Sequence, residues 1–152
     1  MNYEELLKVA EQSHLVVKEK PLRANNGRIK GNRVAIRANM TTTEKACTLA
    51  EELGHHYTTV GNILDQSKVE NRKQERRARL WGYRCMFDLS DLIQAYKYGC
   101  RNRYELAEFL GVTECYLQEG IEAYKSKYGL NVQFDRYVIF FEPLGVIEVC
   151  DC

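Results

Sequence analysis

Leu49-Ala50-Glu51-Glu52-Leu53-Gly54-His55-His56 is the stretch on which the reading of this chain turns. Upstream, Thr41 to Glu44 has the Ser/Thr-x-x-Glu form of a capping box, with Thr41 able to cap and Glu44 at the third helical position. The box predicts a helix running to about Tyr57, which contains the whole stretch. Residues four apart on a helix stand about 40° apart around the axis and one turn apart along it, so the tips of Glu51 and His55 converge. Glu52 points about 100° away from Glu51 and stays outside that meeting point. Gly54 has no helical reason to be there, since glycine costs a helix interior about 1 kcal/mol; it suits close approach of another backbone.

This is the layout of the zinc-protease helix H-E-x-x-H with one change, because Glu51 stands at the first ligand position. Glu51 and His55 are the converging pair, and Glu52 is the base beside a metal-activated water. A third ligand must come from elsewhere, and the next helix offers Glu75-Arg76-Arg77-Ala78, an E-x-x-A segment 20 residues beyond His55. Zinc accepts imidazole nitrogen and carboxylate oxygen, and a catalytic site keeps a fourth position for water. The carboxylate at Glu51 makes the donor set harder and more anionic, so it leans towards Mn2+ or Fe2+ more than a two-imidazole site does. Extra negative charge also makes the water less acidic and slows hydrolysis near neutral pH. Three outcomes stay open: a peptidase with Glu51 as ligand, one with His56 recruited despite pointing about 100° from His55, or a pseudo-enzyme. Taken alone, Glu–His pairs at this spacing arise by chance, and Glu75 among Arg72, Arg76 and Arg79 reads as half of a surface ion pair.

Outward from this segment, residues 3–12 carry apolar residues at helical spacing, and His14 to Glu19 is a short β-branched run that His14 opens as a strand. Asn25-Asn26-Gly27 signals a turn, and Arg28-Ile29-Lys30, Gly31-Asn32 and Arg33 to Arg37 alternate apolar and basic residues around a tight turn. They predict a small antiparallel sheet with one face buried and the other lined by arginine and lysine. Thr58 to Ser67 reads as a loop, Glu70 to Met86 as a basic helix, and Asp88 as the cap of a helix to about Tyr98. Arg103–Leu110, Gly111-Val112-Thr113 and Glu114–Tyr128 read as helix–turn–helix. Beyond them, Val132 to Val149 has strand-like pieces such as Tyr137 to Phe141, broken at Pro143 and Gly145. The expected fold is α+β and mostly helical, in one domain over 1–152. It divides into a helix and β-hairpin (1–40), active-site helices (41–98), a helix-turn-helix-like unit (99–128) and an extended tail (129–152).

No apolar run approaches the roughly 20 residues of a membrane span. MNYEELLKVAEQ carries acids where a secretory signal carries bases and an apolar stretch, so a cytoplasmic protein is expected. The six cysteines form no CxxC pair and read as free thiols rather than a disulfide framework. A net charge of +1 conceals asymmetry: residues 18–37 sum to +6 and 105–152 to −6. The segment Tyr104 to Thr113 follows the L-A-x-x-L-G-V-T pattern of DNA-binding helix-turn-helix units. Yet Thr113 to Tyr124 carries Glu114, Glu119 and Glu122 and no lysine or arginine, and a helix entering the major groove brings cations. DNA binding is therefore argued against, and a packing motif or a protein-contacting surface fits better.

Leu49 to His55 resembles the LAHELGH segment of the ImmA/IrrE family of zinc metallopeptidases. The preceding hairpin, the E-x-x-A helix at Glu75 and Arg79-Leu80-Trp81-Gly82-Tyr83 extend the likeness over roughly residues 20–125. Such proteins are often encoded by prophages and mobile elements, and known members cleave a helix-turn-helix repressor. The resemblance implies a gluzincin-like minimal metallopeptidase, with Glu52 as base and His55 and Glu75 as zinc ligands, acting on a repressor of that kind. Glu51 departs from the family's histidine. It leaves a catalytically weak or inactive protein-binding regulator as the alternative.

Overall fold

The computed structural model describes residues 1–58 and 69–150. Apart from Thr58, the loop expected over Thr58 to Ser67 lies outside the described residues. The chain divides into two compact units, Met1–Met86 and Phe87–Cys152. Six helices and two three-stranded sheets among the described residues make an α+β fold that is mostly helical.

The first unit opens with α1 (Tyr3–Gln12), capped reciprocally by Asn2 and Glu5, whose buried residues are Leu6 and Ala10. His14 does not open a strand. It sits at φ 59° and turns the chain from α1 into β1, which begins at Val16. The strands β1 (Val16–Lys20), β2 (Gly27–Lys30) and β3 (Arg33–Arg37) form a sheet in the order β1-β3-β2. The β2–β3 hairpin is antiparallel around Gly31, at φ +60°. β1, by contrast, pairs parallel with β3, Val16 opposite Arg33 through Lys20 opposite Arg37. The antiparallel sheet expected over Arg28 to Arg37 is thus the β2–β3 hairpin, and β1 joins it in parallel because the chain leaves β1 and returns through β2 before laying β3 beside β1 in the same direction.

Alternation sets which side of this sheet is buried. Val34 and Ile36 of β3 enter the core, while Arg28, Lys30 and Arg33 are exposed, as the apolar–basic pattern implies. Arg37 serves the fold instead. Its guanidinium donates to the Leu22 and Arg23 carbonyls and to Asn26 Oδ1, clamping the link between β1 and β2. Against the sheet and α1 lies α2 (Thr42–Thr58), followed by α3 (Val69–Met86) packed along α2. Leu49, Ala50 and Leu53 of α2 and Ala78 of α3 are fully buried, each at 0% exposure.

In the second unit, α4 (Leu89–Tyr98) starts at a capping box of Asp88 and Asp91 and stops at Gly99, φ 101°. α5 (Arg103–Leu110) is capped by Asn102, and α6 (Glu114–Tyr128) by Thr113. The segment expected as a tail holds an antiparallel meander of β4 (Asn131–Phe134), β5 (Tyr137–Phe141) and β6 (Leu144–Glu148). Gly145 lies within β6 opposite Phe140 and so does not break it. Phe87, Leu117, Ile139 and Tyr124 fill the core, and the Tyr124 hydroxyl donates to the Phe87 carbonyl at 2.6 Å.

Candidate metal centre

The capping box that sequence places at Thr41 is formed: the Thr41 amide donates to Glu44 at 2.8 Å and the Glu44 amide to the Thr41 hydroxyl at 3.1 Å. It fixes where α2 starts, and hence the rotational phase of every residue after it. With that phase, Leu49, Leu53 and Ala50 face the core. Glu51 and His55 then lie on the flank towards α3, and Glu52 is turned inwards.

Gly54 is the point of closest approach. A Cβ built there would lie 2.2 Å from the Ala78 carbonyl oxygen, a distance no side chain tolerates. The glycine therefore lets the α3 backbone sit against α2, as its presence in mid-helix suggested. The Gly54 carbonyl accepts the Thr58 hydroxyl at 2.7 Å. Tyr57 of α2 also stacks on Trp81 of α3 at 4.9 Å between centroids. Held this close, α3 carries Glu75 to the Glu51–His55 pair.

One ligand atom from each of Glu51, His55 and Glu75 lies within 4.8 Å of the other two. His55 Nε2 is 3.7 Å from Glu75 Oε1, and both side chains are about one-fifth exposed. Metal–ligand bonds of about 2.0–2.2 Å place neighbouring donors roughly 3–3.5 Å apart, so a divalent cation fits after small side-chain movements. Two carboxylates and one imidazole suit zinc and the harder divalent ions alike. Arg79 Nε donates to Glu75 Oε1 at 3.2 Å and so holds that carboxylate in place. His56 is exposed, with its ring edge-on to Tyr57 at 5.0 Å, and does not belong to this group.

Glu52 is one of two buried polar or charged residues of the described chain, at 9% exposure. Burial, and then the negative charges of Glu51 and Glu75, push its carboxyl up to about 7. The residue that covers it escaped the sequence reading. Gly27, read only as part of a turn, begins β2, and a Cβ there would meet Thr48 Cγ2 at 2.6 Å and Glu52 Oε1 at 3.0 Å. Only the tertiary contact reveals why glycine stands there; no local spacing signals it. Arg72, Lys73, Arg76, Arg77 and Arg79 are exposed along α3 and make it a basic face.

A cation-sized group of one imidazole and two carboxylates, with a buried carboxyl beside it, sits between two helices in a mostly helical α+β chain. Those three side chains could hold a divalent cation. The model of the peptidase M78 family, the IrrE N-terminal-like domain, matches residues 7–121, and the chain belongs to this family of metallopeptidases. No curated protein and no solved structure matches the chain. The match begins within α1 and ends within α6, so it takes in the whole α2–α3 site.

Proposed function

We propose that the protein is a zinc-dependent endopeptidase that hydrolyses a peptide bond of a partner protein. Glu51, His55 and Glu75 are the ligands in this reading, and Glu52 is the general base. The grouping of those three side chains beside a buried carboxyl is the observation that carries it. A bound divalent cation would supply Lewis acidity and bring the pKa of a water towards about 7.

The chain's own residues do the rest. Glu52, shielded by Gly27 and Thr48, accepts a proton from the attacking water and returns it to the leaving amine. Arg79 keeps Glu75 oriented. In the order β1-β3-β2, β2 is an edge strand among the described residues, and its open side can hydrogen-bond an extended peptide. Family resemblance supports a helix-turn-helix repressor of a phage or mobile element as the partner and a cytoplasmic site of action. No helix among the described residues is long and apolar enough to cross a membrane.

The test is metal analysis of protein purified without chelator, together with cleavage of a co-expressed neighbouring repressor by wild type and Glu52→Gln. We expect bound metal and a loss of about 10²–10⁴-fold in rate for the variant. Cleavage that survives Glu52→Gln would contradict the assignment. Glu51 favours a second reading, because its added negative charge weakens water activation: a pseudo-peptidase that binds the repressor without cutting it. Tight complex formation with an intact partner, unchanged by Glu52→Gln, would select that one.

A further inference from the structure

Two elements border the candidate centre, and both present cations to solvent. On one side Gly27 places β2 over Glu52, and the residues that alternate with Gly27 and Ile29 are Arg28 and Lys30, both exposed. On the other side Arg79 is bonded to Glu75, and Arg72, Arg76 and Arg79 form a stripe at i, i+4 and i+7 on the same flank of α3. Arg28, Lys30 and Arg76 are exposed, and none of them is held in an ion pair among the described residues. Residues 1–86 carry a formal net charge of +6 even with Glu51, Glu52 and Glu75 counted.

We infer that the centre selects an acidic peptide segment, an inference that rests on the endopeptidase reading above. A strand added to the open edge of β2 places alternate side chains on the same face as Arg28 and Lys30. Those side chains repeat at about 6.8 Å, the spacing from Arg28 to Lys30. Acids two residues apart on the substrate then stand opposite two cations, the pairing that stabilises neighbouring strands. A further acid on the α3 side meets Arg76. The substrate residues that alternate with those acids turn to the other face, the one Gly27 shares with Glu52, and there the uncharged scissile amide meets the carboxylates. A nucleic acid fits less well, because its continuous phosphate charge would have to cross Glu51, Glu52 and Glu75. If the partner is a repressor, the cut falls outside its phosphate-contacting helix, since that surface brings cations of its own.

The test uses the full chain with Glu52→Gln, so that peptide is not consumed. Its probes are a fluorescent extended peptide with glutamate at alternate positions and the same peptide with glutamine there. The glutamate peptide should bind about tenfold more tightly at low salt, the combined effect of three exposed pairs of modest strength, and the preference should shrink as salt rises. The paired surface change Arg28→Gln with Lys30→Gln should reduce it, and adding Arg76→Gln should remove it. Equal binding of the two peptides, or a preference that survives those substitutions, overturns the inference. So does a short DNA duplex that displaces the glutamate peptide and depends on the same three residues. A second arm offers both peptides to metal-loaded wild type. Equal cleavage of the two sinks the acidic selection and leaves the endopeptidase reading. A charge-dependent affinity with neither peptide cut by zinc-, manganese- or iron-loaded protein does the reverse.

Discussion

α2–α3 and α5–α6 are both pairs of consecutive helices, yet their sequences put opposite things at the contact. Where α2 meets α3, a glycine and an alanine touch through backbone, and Glu51, Glu52, His55 and Glu75 gather beside them. The buried residues of α5 and α6 are Leu106, Ala107, Leu110, Tyr116, Leu117, Gly120, Ile121 and Tyr124, with caps at Asn102 and Thr113 and a turn at Gly111. The second arrangement stabilises itself by removing apolar surface from water. The first keeps three carboxylates close to one another, a cost that folding alone does not explain and a bound cation would offset. Chemistry in this chain is to be sought where the packing is least favourable.

Breaking the first contact should have the largest effect. Gly54→Ala drives a methyl group into the Ala78 carbonyl, and we expect a loss upward of about 3 kcal/mol in thermal or urea denaturation, together with weakened metal binding. Loss of less than about 1 kcal/mol would show that the helices separate easily. The counterpart in the second unit is Leu117→Ala, which removes a side chain at 0% exposure and should cost about 3 kcal/mol. That cost should be flat from pH 5 to pH 9, because nothing titratable is removed.

Glu52→Gln sharpens the contrast, since its effect on stability should depend on pH. In the metal-free protein the Glu52 carboxyl is raised from 4.5 to about 7, so folding favours the protonated form. Its contribution is fully present below about pH 4.5 and is lost as pH rises through about 7. Glutamine mimics the neutral form. The variant should therefore match wild type near pH 4.5 and exceed it by about 3 kcal/mol at pH 9, as denaturation at the two pH values would reveal. A variant less stable than wild type at pH 9 would show that the ionised carboxylate is well compensated. The smallest effect is Thr113→Ala, which removes the bond to the Tyr116 amide at 3.1 Å and should cost about 1 kcal/mol in the same assay.

Much of this was legible locally. The Thr41–Glu44 box and the Asp88 cap act over three residues, and the four-residue spacing of Glu51 and His55 needs only helix geometry. Gly54 could be read as a contact point because it breaks a propensity rule without a local reason. Glu75 is singled out by its E-x-x-A segment, but its nearness to Glu51 and His55 depends on how α3 docks. What stayed hidden depends on partners distant in sequence. The parallel β1–β3 pairing is set by how the chain returns through β2. His14 looked like a strand residue and instead takes a left-handed turn. Gly27 read as a turn glycine because Thr48 and Glu52, the residues that require it, lie more than 20 positions away.

Zinc titrated calorimetrically into the chelator-treated protein addresses the central claim most directly. Wild type should bind one ion per chain, and His55→Ala and Glu75→Ala should each weaken that binding by more than about a hundredfold. Undiminished affinity in both variants would place any metal elsewhere and contradict the account.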